Sequence, residues 1–156
     1  MATDTMEHIR MLSHNLRPPA LDILDFGEAL EAYCREFATR TRIKTEYSAA
    51  PVFQVEDTIK ISLYRFLQEA LTNVAKHAQA SYVSVKLTST EHEISLTVED
   101  NGRGFDSETQ AQAQIKRGIG LLGIQERLEL LCGRLVIDSK VGQGTRLIAV
   151  VPWSMS

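Results

Sequence analysis

Residues 82–105 read YVSVKLTSTEHEISLTVEDNGRGF. Val83, Val85 and Leu87 alternate with polar residues, and so do Ile94, Leu96 and Val98. Such a period of two marks strands with one buried face. The second strand stops at Asp100, and Asn101, Gly102, Arg103 and Gly104 follow at once. Asn-Gly is a strong tight-turn signal and accounts for the stretch without any ligand. The alternative is that something flat approaches the backbone there and that the acid faces it.

On the N-terminal side, a long helix is expected over about residues 56–78, burying Leu63, Phe66, Leu67, Ala70, Leu71 and Val74. A strand is expected near residues 44–48. Before it a helix opens at Asp25, with Glu28 three positions on as a capping box and an apolar face of Phe26, Ala29, Leu30, Tyr33, Phe37 and Ala38. Residues 5–16 suit a short helix stopped by Pro18 and Pro19, the tail of a helix cut at the N-terminus. On the C-terminal side, FDSETQAQAQIKR (105–117) has no apolar stripe and is expected to be a mobile loop. A helix over about 118–133 and strands over 135–139 and 145–151, flanking KVGQG, complete the chain. There is no internal repeat. The mixed order of helices and strands predicts an α+β fold, a two-layer α/β sandwich with helices on one face of a mixed sheet.

The totals exclude more than they assign. The chain has 156 residues, 44% hydrophobic and 24% charged, with a net charge of −3. Its basic residues are scattered, which argues against nucleic acid as a partner. No apolar stretch approaches a membrane span, and the start MATDTMEHIR lacks a signal-peptide core. Cys34 and Cys132 lie far apart, both inside apolar helical patterns, so neither a disulfide framework nor a zinc site is expected and a reducing, cytosolic setting fits.

Three stretches carry candidate chemistry. In FLQEALTNVAKHAQA, helical spacing brings Glu69, Asn73 and Lys76 together beside the apolar arc, with His77 close by. They fit either a solvated helix edge or a site for hydrated magnesium bound to phosphate, since Mg²⁺ keeps several waters and needs few protein ligands. On the second view Asn73 holds the metal, Glu69 is a candidate general base and Lys76 a phosphate contact. GIGLLG, residues 118–123, matches the dinucleotide template G-x-G-x-x-G, but QIKR precedes it where a buried strand is required. A Gly-rich helix entry still leaves backbone N–H groups free for phosphate. Asp100 can accept a hydrogen bond from an exocyclic amine and so select adenine over guanine. Gly102 and Gly104 would let the backbone run close under the base and sugar, and Thr145 could offer a hydroxyl to the same base edge.

In this order the blocks resemble the ATP-binding domain of sensor histidine kinases and the related gyrase, heat-shock-ninety and mismatch-repair ATPases. QEALTNVAKHA resembles the N box, EDNGRGF the first glycine box, GIGLLGIQERL the second and GQGT the last, from about residue 54 to the end. MLSHNLRPPALDILDFGEAL resembles the junction between dimerisation and ATP-binding domains in the nitrate-sensor-type subgroup. The resemblance implies a Bergerat-type fold over residues 25–156, after a helix tail and Arg-Pro junction over 1–24. It implies Mg²⁺ on Asn73, activation of an acceptor histidine by Glu69, and adenine on Asp100. Gly102, Gly104, Gly118, Gly120 and Gly123 would frame ATP and its lid, residues 106–117, where Lys116 and Arg117 are expected to touch phosphate.

The subgroup's phosphoacceptor block, a His-Asp/Glu pair followed by Gln, is missing, and His14 matches a junction position instead. The expectation is therefore a catalytic fragment, without direct membrane contact, of a longer, homodimeric kinase, cytoplasmic or anchored in the inner membrane. That kinase would move the γ-phosphoryl of ATP to a histidine of its own dimerisation domain and then to a response regulator. An anti-sigma-type serine kinase and a degenerate kinase that only gates contacts by binding nucleotide are the alternatives on the same fold.

Overall fold

A computed structural model describes residues 18–23, 25–50, 55–105 and 119–153. The expected helix at 5–16 with His14, the lid at 106–117 with Lys116 and Arg117, and Gly118 lie outside the described residues.

A short helix, α1 (Ala20–Ile23), follows the two prolines. Asp25 then starts α2 (Phe26–Thr41) by accepting the Glu28 backbone N–H at 2.7 Å. The helix buries Phe26, Ala29, Leu30, Cys34 and Phe37, so Cys34 belongs to the core face, whereas Tyr33 and Ala38 are half-buried. Arg42 closes α2 in the left-handed conformation, φ 62°, and β1 (Lys44–Ala49) follows.

The expected long helix is two pieces. α3 (Asp57–Asn73) is regular and buries Leu63, Phe66, Leu67, Ala70 and Leu71. Residues Val74–Ala78 continue it as a π-turn, which Gln79 ends in a left-handed conformation, φ 53°. β2 (Tyr82–Ser89) and β3 (Glu93–Asp100) form the hairpin set by the opening alternation. α4 (Ile119–Leu130) leads into β4 (Arg134–Ser139) and β5 (Thr145–Pro152).

The strand order is β1-β2-β3-β5-β4. β1 lies parallel to β2, with α3 as the crossover, and every other pairing is antiparallel. One face carries Val83, Val85, Leu87, Ile94, Leu96, Val98, Leu147, Ala149 and Val151 into a core shared with α2, α3 and α4. The opposite face carries no helix among the described residues. It presents Ser84, Thr88, Ser95, Thr97 and exposed charges. The mixed sheet with helices on one face is as expected.

Both cysteines are free thiols. Cys132 departs from expectation: it lies beyond α4, exposed and left-handed at φ 61°. The following Gly133 cannot be replaced there, because a Cβ would stand 2.4 Å from the Val150 carbonyl oxygen.

Candidate functional site

A cavity of about 510 Å³ opens between α3, α4 and the ends of β3, β4 and β5. Asn73, His77, Asp100, Arg103 and Thr145 supply its polar groups, and Val98, Leu121, Ile137 and Leu147 its apolar wall.

Asp100 is the unusual member. Strand alternation puts it on the core face with Leu96 and Val98, and it is 7% exposed. Its Oδ1 accepts the Gly102 N–H at 2.8 Å. Burial raises its pKa above the ordinary carboxylate range, against the lowering effect of the Gly102 and Thr145 backbone N–H groups, while Glu99 adds to the rise. The chain thus fixes a hydrogen-bond acceptor at the inner end of a partly apolar cavity.

The next residues hold that acid in place. Asn101 Oδ1 accepts the N–H groups of Ser81 and Tyr82, each at 3.0 Å, and its Nδ2 donates to Ser81 Oγ. The π-turn presents the Ala78 carbonyl, which accepts the Arg103 N–H at 2.8 Å. A Cβ on Gly102 would stand 2.2 Å from that carbonyl oxygen. Gly104, at φ 63°, packs against Lys140, where a Cβ would stand 2.1 Å from its carbonyl oxygen, and a Cβ on Gly144 would stand 2.0 Å from the Asp100 carbonyl oxygen. A side chain at Gly102, Gly104 or Gly144 would therefore collide with backbone of the protein. These glycines interlock two loops, tied further by the Gly142 N–H to the Arg103 carbonyl at 2.7 Å.

Asn73, His77, Asp100, Gly104 and Thr145 are brought together around one cavity. Glu69, one turn before Asn73, is half-buried outside that lining, and its charge bears on the Tyr33 hydroxyl of α2. Lys76 is exposed and also outside the lining. Gly120 lies in the first turn of α4. Gly123 has open space where a Cβ would sit.

Sequence reasoning passed over Ser139, a buried hydroxyl that accepts the Phe105 N–H at 2.8 Å and lies 2.8 Å from Thr145 Oγ1. Its signal was available: alternation from Leu135 and Ile137 places it on the core face beside the KVGQG turn. Among the described residues no group of three or more His, Cys, Asp or Glu side chains could hold a metal. No helix among them is long and apolar enough to cross a membrane.

Comparison with known proteins gives concordant matches. The family model described as histidine kinase-, DNA gyrase B-, and HSP90-like ATPase matches residues 58–155. The sensor histidine kinase MctS of Rhizobium johnstonii is 43% identical over 153 residues, 96% of this chain and 32% of that protein. The signal transduction histidine-protein kinase/phosphatase DegS of Brevibacillus brevis is 34% identical over 154 residues, 97% of this chain and 39% of that protein. The chain thus spans about a third of the curated relatives it matches. Among solved structures, the histidine kinase domain of the Erythrobacter litoralis EL346 blue-light activated kinase superposes with a TM-score of 0.69 at 21% identity, covering 81% of this chain and 60% of that one. Full-length ShkA in complex with AMPPNP gives 0.71 at 16% identity, covering 85% and 31%.

Proposed function

The chain belongs to the histidine kinase-, DNA gyrase B- and HSP90-like ATPase family, and on that premise we propose that it is the ATP-binding catalytic domain of a two-component sensor histidine kinase. The observation that carries the proposal is the buried acceptor Asp100 at the inner end of a cavity whose outer polar groups include Asn73 and His77.

In this proposal Asp100 accepts the exocyclic amine of adenine, with Thr145 beside it, and the apolar wall of Leu121, Ile137 and Leu147 covers the base. Guanine would set a carbonyl against the carboxylate. The donor set also fits magnesium. One amide, on Asn73, lines the cavity, and a hard cation carried on phosphate and water needs few protein ligands. When bound, that ion would neutralise phosphate charge. Glu69 lies on the same helix stripe but outside the cavity, where a histidine presented by another domain can reach it, and is assigned as the group that activates that histidine. Lys76 and His77 are assigned to phosphate.

The parent protein would be a homodimer of the nitrate-sensor type, its catalytic domain cytoplasmic. It would use the phosphoacceptor histidine of its dimerisation domain and pass the phosphoryl group to a response regulator. Positioning and charge neutralisation supply most of the catalysis in such transfers.

Calorimetric titration with ATP, GTP and NADH, with and without Mg²⁺, tests the pocket. ATP alone should bind, and Asp100→Asn should abolish it; equal binding of GTP or preferred binding of NADH refutes the adenine assignment. Adding a separate acceptor-bearing dimer tests the kinase: tight ATP binding without phosphoryl transfer would leave a nucleotide-gated contact module.

A further inference from the structure

β4 is an edge strand, and among the described residues no strand pairs with its outer side. Free edges invite pairing unless short strands, charged side chains, bulges, prolines or inward-pointing charges blunt them, and the charges of β4 are confined to Arg134 and Asp138. β4 reads RLVIDS. It has no proline, and its core-face residues are Leu135, Ile137 and Ser139, none of them charged.

Among the described residues, three of the four exposed large hydrophobic ones border this edge: Leu130 (85% exposed) before it, Val136 (37%) on it and Val141 (73%) after it. The charges on its open face have a special order. Arg134, Val136 and Asp138 share that face, with basic and acidic ends symmetric about the valine. An antiparallel copy of the same strand, centred on Val136, would put Arg134 against the partner copy's acid at the position of Asp138, and the reverse. On the core side Leu135 would meet the isoleucine at position 137. The start of one β4 would also lie beside the end of the other, bringing the α4 terminus with Leu130 towards the hairpin tip with Val141.

From this self-complementarity we propose that β4 is an interaction surface for a second copy of this chain, the two pairing antiparallel about a two-fold axis at Val136. The result is one continuous sheet through both copies, an isologous contact in which each residue meets its symmetry partner. Opposite-charge and β-branched cross-strand pairs are the units that stabilise such a ladder. The proposal goes beyond nucleotide binding and does not depend on it. Arg134 and Asp138 are half-exposed and pair with Glu93 at 3.9 Å and with Arg146 at 3.0 Å, exposed pairs that a partner's charge would share or replace. A contact of this size is weak, and it would matter most where another domain already tethers two copies and raises their effective concentration.

Sedimentation equilibrium of the 156-residue chain tests it. The native chain should self-associate reversibly, with a dissociation constant on the order of 0.1–1 mM. A chain carrying R134E presents only acids on this face, and one carrying D138R only bases. Each alone should associate at least about tenfold more weakly, and an equimolar mixture should recover native association through the mixed pair. Val136→Lys places two like charges on the axis without touching either intrachain pair, and should abolish association while the unfolding midpoint holds. A native chain that stays monomeric to about 1 mM overturns the proposal. So does native-like association of the single variants or of Val136→Lys, and so does a mixture that fails to recover.

Discussion

Ser139 Oγ lies 2.8 Å from Thr145 Oγ1 across the pair that opens the β4–β5 hairpin. The same oxygen accepts the Phe105 N–H at 2.8 Å and lies 3.1 Å from the Gly144 carbonyl oxygen. One small hydroxyl therefore joins the segment after Asp100 to the turn that carries Thr145. Ser139→Ala leaves the Phe105 N–H without its acceptor and should cost about 1–3 kcal/mol in urea unfolding. It should also weaken ATP binding, although Ser139 itself is absent from the cavity lining.

The glycines of the two boxes should respond in opposite directions. Gly102→Ala drives a Cβ to 2.2 Å from a backbone oxygen and should destabilise by about 2–4 kcal/mol, because neither loop can retreat without breaking the interlock. Gly123 sits in a helix with open space around it. Gly123→Ala should stabilise by about 0.5–1 kcal/mol. Chemical denaturation of both variants checks the pair, and a destabilised Gly123→Ala would contradict it.

Asp100 sets a pH dependence. Its pKa is raised in the fold, chiefly by burial, so between the unfolded and folded values the native state holds a proton that the unfolded chain has released. The stability linked to this group is full below the unfolded pKa and is lost as pH rises through the raised folded value. The native chain should therefore lose stability relative to Asp100→Asn as pH rises from the ordinary carboxylate range through the raised folded value, read from urea midpoints measured across a pH series.

Cys132 occupies a left-handed position with a side chain, so Cys132→Gly should stabilise by about 0.5–1 kcal/mol. Its thiol is exposed, whereas burial pushes the Cys34 thiol up to about 12. A thiol reagent at neutral pH should modify one cysteine in the native chain and both after denaturation.

The Tyr47 hydroxyl is buried with no hydrogen-bond partner among the described residues, and burial pushes its pKa well above the usual phenol value. Tyr47→Phe removes an unsatisfied group without changing the ring. It should leave the unfolding midpoint unchanged or raise stability by up to about 1 kcal/mol.

What the sequence made legible follows from which signals are local. Alternation in Val83–Val85–Leu87 and Ile94–Leu96–Val98 placed β2, β3 and the core face, and the Asp25–Glu28 spacing placed the start of α2. The same alternation, carried one step further, put Asp100 inside. The reason for Gly102 and Gly104 was not legible, because the oxygens that exclude a side chain come from Ala78 and Lys140, remote in sequence. The π-turn at Val74–Ala78 escaped for a related reason: a helical stripe does not record one residue of extra winding, and the Arg103 N–H that meets the Ala78 carbonyl at its end is remote in sequence.

The single parallel pairing has a consequence for the order of assembly. Lys44 meets Tyr82 only after the whole of α3 has been laid down between them, whereas the β2–β3 and β4–β5 turns close over a few residues. Entropy of closure grows with the length of chain enclosed. The two hairpins should therefore form early, and β1 with α2 should dock last onto a sheet already built. In native-state hydrogen exchange, the amides of β1 are then expected to open first, ahead of β3 at the centre of the sheet.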